Sequence, residues 1–299
     1  MRSLSLKQIG IGFFALFVVA LFGVWLLTRA EQKVVAPTPV VPVVEEKVVY
    51  PIHDVIGKSV QGRAIDAYTY GSGKTNLLFV GGVHGGYEWN SVLLAYTFMD
   101  YLDKHFEMIP QNISVTIVPS ANPDGVFKII QKEGRFEITD VPNADSSSGR
   151  FNAHKVDLNR NFDCNWKPES MWKSQVVSAG TSAFSEPESR AVRDVVTAHH
   201  PVAAIFLHSK SNAVYASECN NGILPETLNV MNTYAKAAGY PAVKSFDSYA
   251  VTGDAEGWLA SINIPAITVE LSTHDTIEWD RNLLGIKALL GYFREQESL

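Results

Sequence analysis

Residues 76–105 read NLLFVGGVHGGYEWNSVLLAYTFMDYLDKH and contain the clearest folding signal in the chain. Residues 77–80 are apolar without alternation, which is typical of a central strand buried on both faces. A glycine-rich turn follows, and residues 90–105 then show the apolar spacing of a helix. The segment therefore predicts a strand that leads directly into a helix, with His84 and Glu88 at the junction.

Strand-like and helical segments continue to alternate along the chain. Strands are predicted over residues 76–83, 114–118, 202–207 and 266–271, and helices over residues 90–105, 186–200, 226–238 and 281–295. This alternation predicts an α/β fold in which a largely parallel sheet lies between helices. Ser185 and Glu188 have the spacing of a capping box at one helix start, and Gly239 follows the end of the next helix.

Composition and charge limit the classes of function. The 299-residue chain is 46% hydrophobic and 19% charged with both signs present, which excludes a disordered or collagen-like protein. Its net charge is −6, and residues 1–47 carry more Lys and Arg than Glu, so the rest of the chain is strongly acidic. An acidic body repels phosphate backbones, and we expect no nucleic-acid partner. Residues 48–299 have an ordinary size for one α/β enzyme domain.

The N-terminal region predicts a membrane anchor. Residues 9–28 contain no charged side chain, and a helix of this length at ~1.5 Å per residue covers the ~30 Å core of a bilayer. We interpret residues 1–29 as a transmembrane helix, with a cleaved signal peptide as the alternative. The Pro- and Val-rich residues 30–47 are interpreted as a stiff linker. The chain is thus expected in the cell membrane, single-pass, with its folded domain outside the cytoplasm.

Three polar side chains, His84, His208 and Glu270, each follow an apolar strand directly. Sites in open α/β sheets form outside the carboxyl ends of strands, so we expect these side chains at one edge of the sheet. With Glu88, the two histidines make a two-histidine, one-carboxylate ligand set. Such a set leaves a fourth position on zinc open for water, which is typical of a catalytic site. The sequence therefore predicts one zinc ion per chain.

Further motifs follow in order along the chain, namely NPDG at residues 122–125, VDLNRNF at 156–162 and AITVEL at 266–271. Together with the ligand segments, they resemble the zinc carboxypeptidases of the carboxypeptidase A and B type over residues 70–280, and particularly the bacterial murein-peptide carboxypeptidases and amidases. The resemblance implies a three-layer α/β/α sandwich around a twisted mixed sheet of about eight strands. It also implies one zinc ion and hydrolysis of a carboxyl-terminal peptide bond.

The resemblance assigns the metal site residue by residue. His84, Glu88 and His208 match the zinc ligands, although the family usually has two residues between the first pair and this chain has three. Asp100 is the only other nearby acid downstream, and it lies deep in the predicted helix. Asp157 matches the carboxylate that orients the first histidine and fixes its tautomer.

The resemblance also assigns the catalytic groups. Glu270 matches the catalytic carboxylate, because zinc lowers the pKa of its water toward ~7 and an adjacent glutamate can take the proton and deliver it to the departing amine. Arg150 is the candidate for stabilising the oxyanion, with Arg135 as the alternative. Asn159 and Arg160 match the pair that binds the substrate's terminal carboxylate, since a guanidinium binds a carboxylate bidentately.

The remaining assignments concern substrate and disulfide. Tyr249 matches a mobile tyrosine that closes over substrate in the family. Glu256 falls at the family's specificity position, where an acid indicates a basic or diaminopimelate end, with a solvent-facing helix start as the alternative. Cys164 and Cys219 would pair if the domain is exported, and two buried thiols are the alternative. His274 has only a weak signal for a supporting role.

The predicted function is a membrane-anchored zinc carboxypeptidase that acts on peptides, including peptidoglycan stem peptides. Two alternatives stay open: a related zinc amidohydrolase that deacylates an N-acyl amino acid, and a noncatalytic peptide- or cell-wall-binding module on the same fold. Glu270 favours an enzyme, because a binding module has no need of a general base. Residues 122–125 and Tyr249 favour a peptidase over an amidohydrolase.

Overall fold

The computed structural model describes residues 50–296. The predicted transmembrane helix of residues 1–29 and the predicted linker of residues 30–47 lie outside the described residues. Within residues 50–296, no helix combines the length and the hydropathy that a membrane crossing requires.

The described residues form ten strands and six α-helices. The strands are β1 (Ile52–Lys58), β2 (Ala64–Tyr70), β3 (Thr75–Val80), β4 (Ile113–Val118), β5 (Glu169–Trp172), β6 (Gln175–Ser178), β7 (Ala203–Ser209), β8 (Ala213–Ala216), β9 (Ala242–Val243) and β10 (Ala266–Leu271). The helices are α1 (Trp89–Lys104), α2 (Pro123–Ile130), α3 (Pro187–His199), α4 (Pro225–Ala238), α5 (Ala255–Ser261) and α6 (Trp279–Gln296). Several short 3₁₀ turns connect them.

Eight strands form one mixed sheet in the order β1-β2-β4-β3-β7-β10-β8-β9, and β5 and β6 form a separate hairpin. The four central strands β4, β3, β7 and β10 pair in parallel. Strands β2 and β8 pair antiparallel to them on either side. Strand β7 is buried along its whole length, as a central strand without polar alternation must be. The predicted α/β fold with a largely parallel sheet of eight strands is confirmed.

Helices cover both faces of the sheet. Leu77 and Phe79 of β3 pack into one apolar cluster with α1, α4 and α6. Leu78 and Val80 of the same strand pack into a second cluster with α3 and α5. Because successive side chains of a strand point to opposite faces, the two clusters lie on opposite sides of the sheet. The strands are therefore the middle of three layers.

Helix α3 begins differently from the prediction. Its N-cap is Glu186, and no side chain caps the helix. The carboxylate of Glu188 instead accepts hydrogen bonds from the backbone N–H of Val60 and from the amide of Asn152, at 3.0 and 3.1 Å. The predicted capping box is therefore wrong, because the Glu188 carboxylate accepts the backbone N–H of Val60 in the turn between β1 and β2. At the end of α4, Gly239 adopts a φ of 70°, as its predicted stop position requires.

Cys164 and Cys219 form a disulfide bond. It joins the loop that follows the motif of residues 156–162 to the segment after β8. The alternative of two free buried thiols is therefore wrong. The bond ties together two segments that are 55 residues apart in the sequence.

Candidate metal centre and active site

The central strands bring the predicted ligands to one edge of the sheet. His84 lies in the turn after β3, and His208 is the second-to-last residue of β7, which ends at Ser209. Glu270 in β10 pairs in register with His208 in β7. The parallel pairing of these strands thus places the three side chains at their shared carboxyl end, as predicted from the sequence.

His84, Glu88 and His208 form a compact group of potential metal ligands. The Nδ1 atom of His84 lies 2.8 Å from Oε1 of Glu88, and Nδ1 of His208 lies 2.9 Å from Oε2 of Glu88. The two Nδ1 atoms are 3.1 Å apart. The three residues are 5%, 3% and 2% exposed, respectively. Two imidazole nitrogens and one carboxylate therefore converge on a single buried point.

A glycine-rich turn places Glu88 in this group despite the additional residue between it and His84. Residues Gly85–Glu88 form a 3₁₀ turn, and Gly85 has a φ of +45°. A Cβ atom on Gly85 would lie 2.7 Å from the carbonyl oxygen of Gly149. The turn thus packs backbone to backbone against its neighbour, which only glycine permits. Asp100, the other acid near this turn in sequence, is exposed and pairs with Arg135 at 2.6 Å.

Each histidine has a buried carboxylate on the opposite side of its ring. Oδ1 of Asp157 lies 3.4 Å from Nε2 of His84, and Oε1 of Glu256 lies 3.5 Å from Nε2 of His208. Oδ2 of Asp157 also accepts a hydrogen bond from Nε of Arg150 at 2.9 Å and forms an ion pair with its Nη2 at 2.8 Å. Burial opposes the ionised form of Asp157, yet the positive charge of Arg150 holds its pKa well below the usual range.

The electrostatics of the group favour a cation. Burial disfavours a protonated imidazole, but the carboxylates of Glu88 and Glu256 outweigh burial and raise the pKa of His208 to about 10. A negative potential that holds a proton at this point also favours a divalent cation there. Both Nδ1 atoms face Glu88, which leaves both Nε2 atoms for the outer carboxylates, an arrangement typical of zinc-bound histidines. The residues therefore fit zinc.

Glu270 stands beside the ligands with an unsatisfied oxygen. Its Oε2 atom is buried and has no hydrogen-bond partner among the described residues. Burial and the neighbouring Glu88 carboxylate raise the pKa of Glu270 to about 8. A pKa near neutrality allows the side chain both to take and to release a proton, which is the property that a general acid–base group requires.

Arg150 is the arginine that the structure brings to the site. It is 3% exposed and lines the cleft, and its Nη1 lies 3.7 Å from Oε1 of Glu88. Its guanidinium also lies over the ring of Trp172, 4.6 Å from the ring centre. Arg135, the alternative from the sequence, is 47% exposed and does not line this cleft. Arg150 therefore remains the candidate for stabilising an oxyanion.

Asn159 and Arg160 line the same cleft. Nε and Nη2 of Arg160 donate to the carbonyl oxygen of Met171 at 3.2 and 2.9 Å, and Nη1 donates to the carbonyl of Asn159 at 2.5 Å. Oδ1 of Asn159 accepts from the N–H of Ala255 at 2.9 Å. Backbone carbonyls thus orient the guanidinium while two of its five N–H groups stay available for a substrate carboxylate.

Tyr249 and Glu256 also line the cleft, which has a volume of about 640 Å³. Tyr249 is half-buried, and its ring packs edge-on against Phe246 with centres 4.8 Å apart. Glu256 lies in the first turn of α5 but is only 3% exposed, so the solvent-facing alternative is wrong. Asp254 precedes the helix as its N-cap and accepts from the N–H of Gly257 at 2.7 Å.

Several cleft residues were not assigned from the sequence. Ser209 donates its backbone N–H to Oε2 of Glu88 at 3.2 Å, and its hydroxyl lies 2.7 Å from Nδ1 of His274. Tyr87 packs against both His274 and Trp172, with ring centres 4.5 and 5.3 Å apart. Ser209 was detectable as the neighbour of His208. Trp172 was not, because it reaches the cleft on the β5–β6 hairpin, which has no motif of its own.

Comparison with protein families matches residues 52–284 to the family described as zinc carboxypeptidase. Among curated proteins, the chain is 25% identical over 240 residues to gamma-D-glutamyl-L-diamino acid endopeptidase 1 of Lysinibacillus sphaericus, with 73% of this chain and 60% of that protein covered. The chain therefore spans less than two thirds of that relative's length.

Solved structures with the same fold include bovine thrombin-activatable fibrinolysis inhibitor in complex with tick carboxypeptidase inhibitor. Its TM-score is 0.65 at 20% identity, over 83% of this chain and 90% of that chain. The murein-tripeptide amidase MpaA from Escherichia coli O157 has a TM-score of 0.57 at 22% identity, over 83% of this chain and 95% of that chain. Since the family match covers more than half of the sequence and the ligand group fits its metal, the chain belongs to the zinc carboxypeptidase family, with zinc as the cofactor.

Proposed function

We propose that this chain is a zinc-dependent peptidase that hydrolyses the amide bond before a terminal residue with a side-chain amine, in cell-wall (murein) peptides. The observation that carries the substrate class is the pair of acids in the cleft. Asp254 and Glu256 both line it, and Glu256 is almost fully buried. Buried carboxylates that face a substrate pocket favour a cationic partner and penalise an apolar one.

The side chains have complementary places in the reaction. Hydrolysis adds the oxygen of water to the carbonyl carbon and breaks the C–N bond, and Glu270 takes the water proton and delivers it to the departing amine. Nη1 of Arg150, which is not tied to Asp157, supplies a hydrogen bond to the developing oxyanion. Zinc supplies Lewis-acid polarisation of the carbonyl and lowers the pKa of water. Arg160 binds the terminal carboxylate.

The names of two similar proteins support the substrate class. The Lysinibacillus relative is named for a gamma-D-glutamyl-L-diamino acid bond, and the Escherichia amidase is named for a murein tripeptide. A diamino acid carries a side-chain amine, which is the cationic partner that an acidic cleft favours. Peptidoglycan stem peptides ending in lysine or diaminopimelate therefore fit the proposal.

Two other functions remain as alternatives to this proposal. A zinc amidohydrolase that deacylates N-acyl amino acids would use the same metal ligands and Glu270. A noncatalytic binding module would keep the cleft but would not require a partly buried carboxylate whose pKa is raised to about 8. That pKa of Glu270 favours an enzyme over a binding module.

The proposed location is the outer face of the cell membrane, with residues 9–28 as a single membrane span. The uncharged run of residues 9–28 supports the span, and the Cys164–Cys219 disulfide supports an oxidising compartment. Treatment of intact cells with protease checks this location. Protection of the domain, or a mature N-terminus near Ala30, would contradict the proposed anchor and orientation.

The function is tested by incubating the detergent-solubilised full chain with stem peptides, ordinary peptides and N-acyl amino acids. Mass spectrometry identifies the products, and parallel reactions contain a zinc chelator. We expect chelator-sensitive release of a terminal diamino acid from stem peptides. Release only from N-acyl amino acids would favour the amidohydrolase, and binding without any product would favour the noncatalytic module.

A further inference from the structure

The two acids beside the cleft, Asp254 and Glu256, face different partners. They are two residues apart at the start of α5, and the sequence resemblance assigned a role only to Glu256. Their hydrogen bonds differ, and so do their exposures. Glu256 is buried, whereas Asp254 is intermediate in exposure. The contacts of each carboxylate show which partner it serves.

Glu256 is directed toward the metal site. Its Oε1 atom accepts a hydrogen bond from the hydroxyl of Thr268 at 2.9 Å and lies 3.5 Å from Nε2 of His208. That Nε2 atom is buried and makes no hydrogen bond within residues 50–296, so the Glu256 carboxylate is the charged group beside it. Thr268 lies in β10, two residues before Glu270, so both side chains stand on the same face of the strand. The sheet itself therefore holds Glu256 against the histidine.

The other histidine has a matching partner. Oδ1 of Asp157 lies 3.4 Å from Nε2 of His84, nearly the same separation as that between Glu256 and His208. In both cases Nδ1 faces Glu88 and Nε2 faces a buried carboxylate. A carboxylate in this position fixes the ring orientation and the tautomer of a ligating histidine and increases its basicity. Glu256 thus stands in the same geometric relation to its histidine as Asp157 does.

Asp254 has an oxygen left for the substrate. Its Oδ2 atom accepts the N–H of Gly257 at 2.7 Å, while Oδ1 has no hydrogen bond within residues 50–296. Asp254 lines the cleft and is close enough to Glu256 for the two charges to interact. Burial and the Glu256 charge raise the pKa of Asp254 to about 6. A substrate ammonium group beside Oδ1 would offset both the burial of the Asp254 carboxylate and its repulsion by Glu256.

We propose that the two acids have separate roles. Glu256 is a positioning residue that orients the zinc ligand His208, and Asp254 is the specificity residue that binds the side-chain amine of the substrate. The role of Asp254 rests on the proposed function, whereas the role of Glu256 does not. The acid at the family's specificity position is then committed to the metal site, and amine recognition lies two residues earlier in the chain.

Zinc affinity tests the role of Glu256 without any substrate. Glu256→Gln keeps the shape of the side chain, and Asp254→Asn is the matched control because asparagine also caps a helix. Competition with a chromophoric chelator should show zinc affinity lowered ~10-fold or more for Glu256→Gln and unchanged for Asp254→Asn. The absorption spectrum of the cobalt-substituted protein should shift for Glu256→Gln alone. Wild-type affinity and an unchanged spectrum for Glu256→Gln would overturn this role.

Thr268→Val supplies a second test if Glu256→Gln does not fold, as judged by circular dichroism. It removes the hydrogen bond that orients Glu256 and leaves every charge in place. Zinc affinity should fall below that of the wild type. If Thr268→Val folds and binds zinc as tightly as the wild type, Glu256 has no positioning role.

Selectivity tests the role of Asp254. The measured quantity is the ratio of kcat/KM for two peptides ending in lysine and in norleucine, which lacks the amine, at saturating zinc. Asp254→Asn should lower this ratio ~10-fold or more, because a charge-assisted hydrogen bond is lost. Glu256→Gln should lower it by a smaller factor. An unchanged ratio for Asp254→Asn, or a larger loss for Glu256→Gln, would overturn the assignment.

Failure of the proposed function gives a different result. If the wild-type enzyme cleaves neither peptide, or prefers norleucine, the proposed substrate class and the role of Asp254 both fall. The zinc measurements on Glu256→Gln still decide the role of Glu256. If the wild type prefers lysine and Asp254→Asn keeps that preference, only the assignment of Asp254 fails.

Discussion

His84 and His208 each have a buried carboxylate beside Nε2, but the charges around the two carboxylates differ. Behind His84, Asp157 is fully buried, accepts a hydrogen bond from Arg150 and forms an ion pair with it. Behind His208, Glu256 receives one hydrogen bond from Thr268 and forms no ion pair with a Lys or Arg within residues 50–296. One carboxylate is thus neutralised by a fixed cation, and the other depends on a hydroxyl and the histidine itself.

This difference has consequences for stability and for function. A buried charge that loses its partner costs more than a buried hydrogen bond that is lost. The His84 side is therefore the more fragile of the two, since Asp157 and Arg150 depend on each other. On the His208 side no Lys or Arg neutralises Glu256 within residues 50–296, so we expect a cation in the cleft to stabilise the acids there more strongly. Four predictions test this comparison.

Loss of the shared ligand should have the largest effect. Glu88 contacts both histidines, so Glu88→Ala removes the group that joins the two sides. We expect stoichiometric zinc to be lost, as measured by metal analysis of the dialysed protein. Asp100→Asn, which changes an exposed acid paired with Arg135, should keep one zinc per chain. Full zinc retention in Glu88→Ala would show that Glu88 is not a ligand.

Removal of the proposed base should separate chemistry from metal binding. Glu270 lies on the His208 side but makes no contact that positions either histidine. Glu270→Gln should lower kcat by ~10² or more, the lower part of the range for general acid–base groups, and leave the zinc content at one per chain. Turnover equal to that of the wild type would falsify the role of Glu270.

The two outer carboxylates should differ in their effect on folding. Asp157→Asn removes the nearer counter-charge of the buried Arg150 guanidinium and leaves only Glu88, at 3.7 Å, so the free energy of unfolding should fall by about 3–5 kcal/mol. Glu256→Gln loses hydrogen bonding but leaves no Lys or Arg unpaired, and about 1–3 kcal/mol is expected. Urea unfolding of the metal-free variants measures both values. Equal losses would contradict the proposed difference in charge balance.

The sequence was sufficient where one local pattern determines one element. The predicted strand at residues 76–83 and the helix at residues 90–105 correspond to β3 and α1, because buried apolar runs and helical spacing are local signals. The short strands β5 and β6 were missed, and the helix α5 was considered only as an alternative at Glu256. They are stabilised by tertiary contacts such as the bond from Arg160 to Met171, which no local pattern encodes.

The same limit applies to the site. The motifs identified His84, Glu88, His208 and Glu270, which the structure brings together, because each lies at or shortly after the carboxyl end of a recognisable strand. The role of Glu188 was misassigned, since its partner Val60 lies 128 residues away. Long-range partners of this kind, like that of Glu256, depend on the folded sheet and are not readable from spacing.

The smallest expected effect concerns the pH dependence of stability. It tests the His208 side, where the acid beside the histidine has no Lys or Arg partner within residues 50–296. Asp254 has a folded-state pKa raised to about 6 by burial and by Glu256, above the ~3.9 of an unfolded aspartate. The unfolded state therefore releases this proton first, and the wild type loses stability as the pH rises from ~4 through about 6.

Asp254→Asn cannot ionise at this position and retains the helix cap. It should therefore be more stable than the wild type at pH 7 and lose that advantage below pH ~4, where the aspartate is protonated in both states. The opposite sign is expected for Asp157, whose pKa is lowered, so that its contribution is present above pH ~4 and is lost as the pH falls through its folded-state pKa. Thermal unfolding of the wild type and Asp254→Asn across pH 3–8 measures the difference. If the difference in stability between the wild type and Asp254→Asn does not change with pH, the folded protein does not disfavour the Asp254 charge. The acids on the His208 side would then be as well compensated as Asp157.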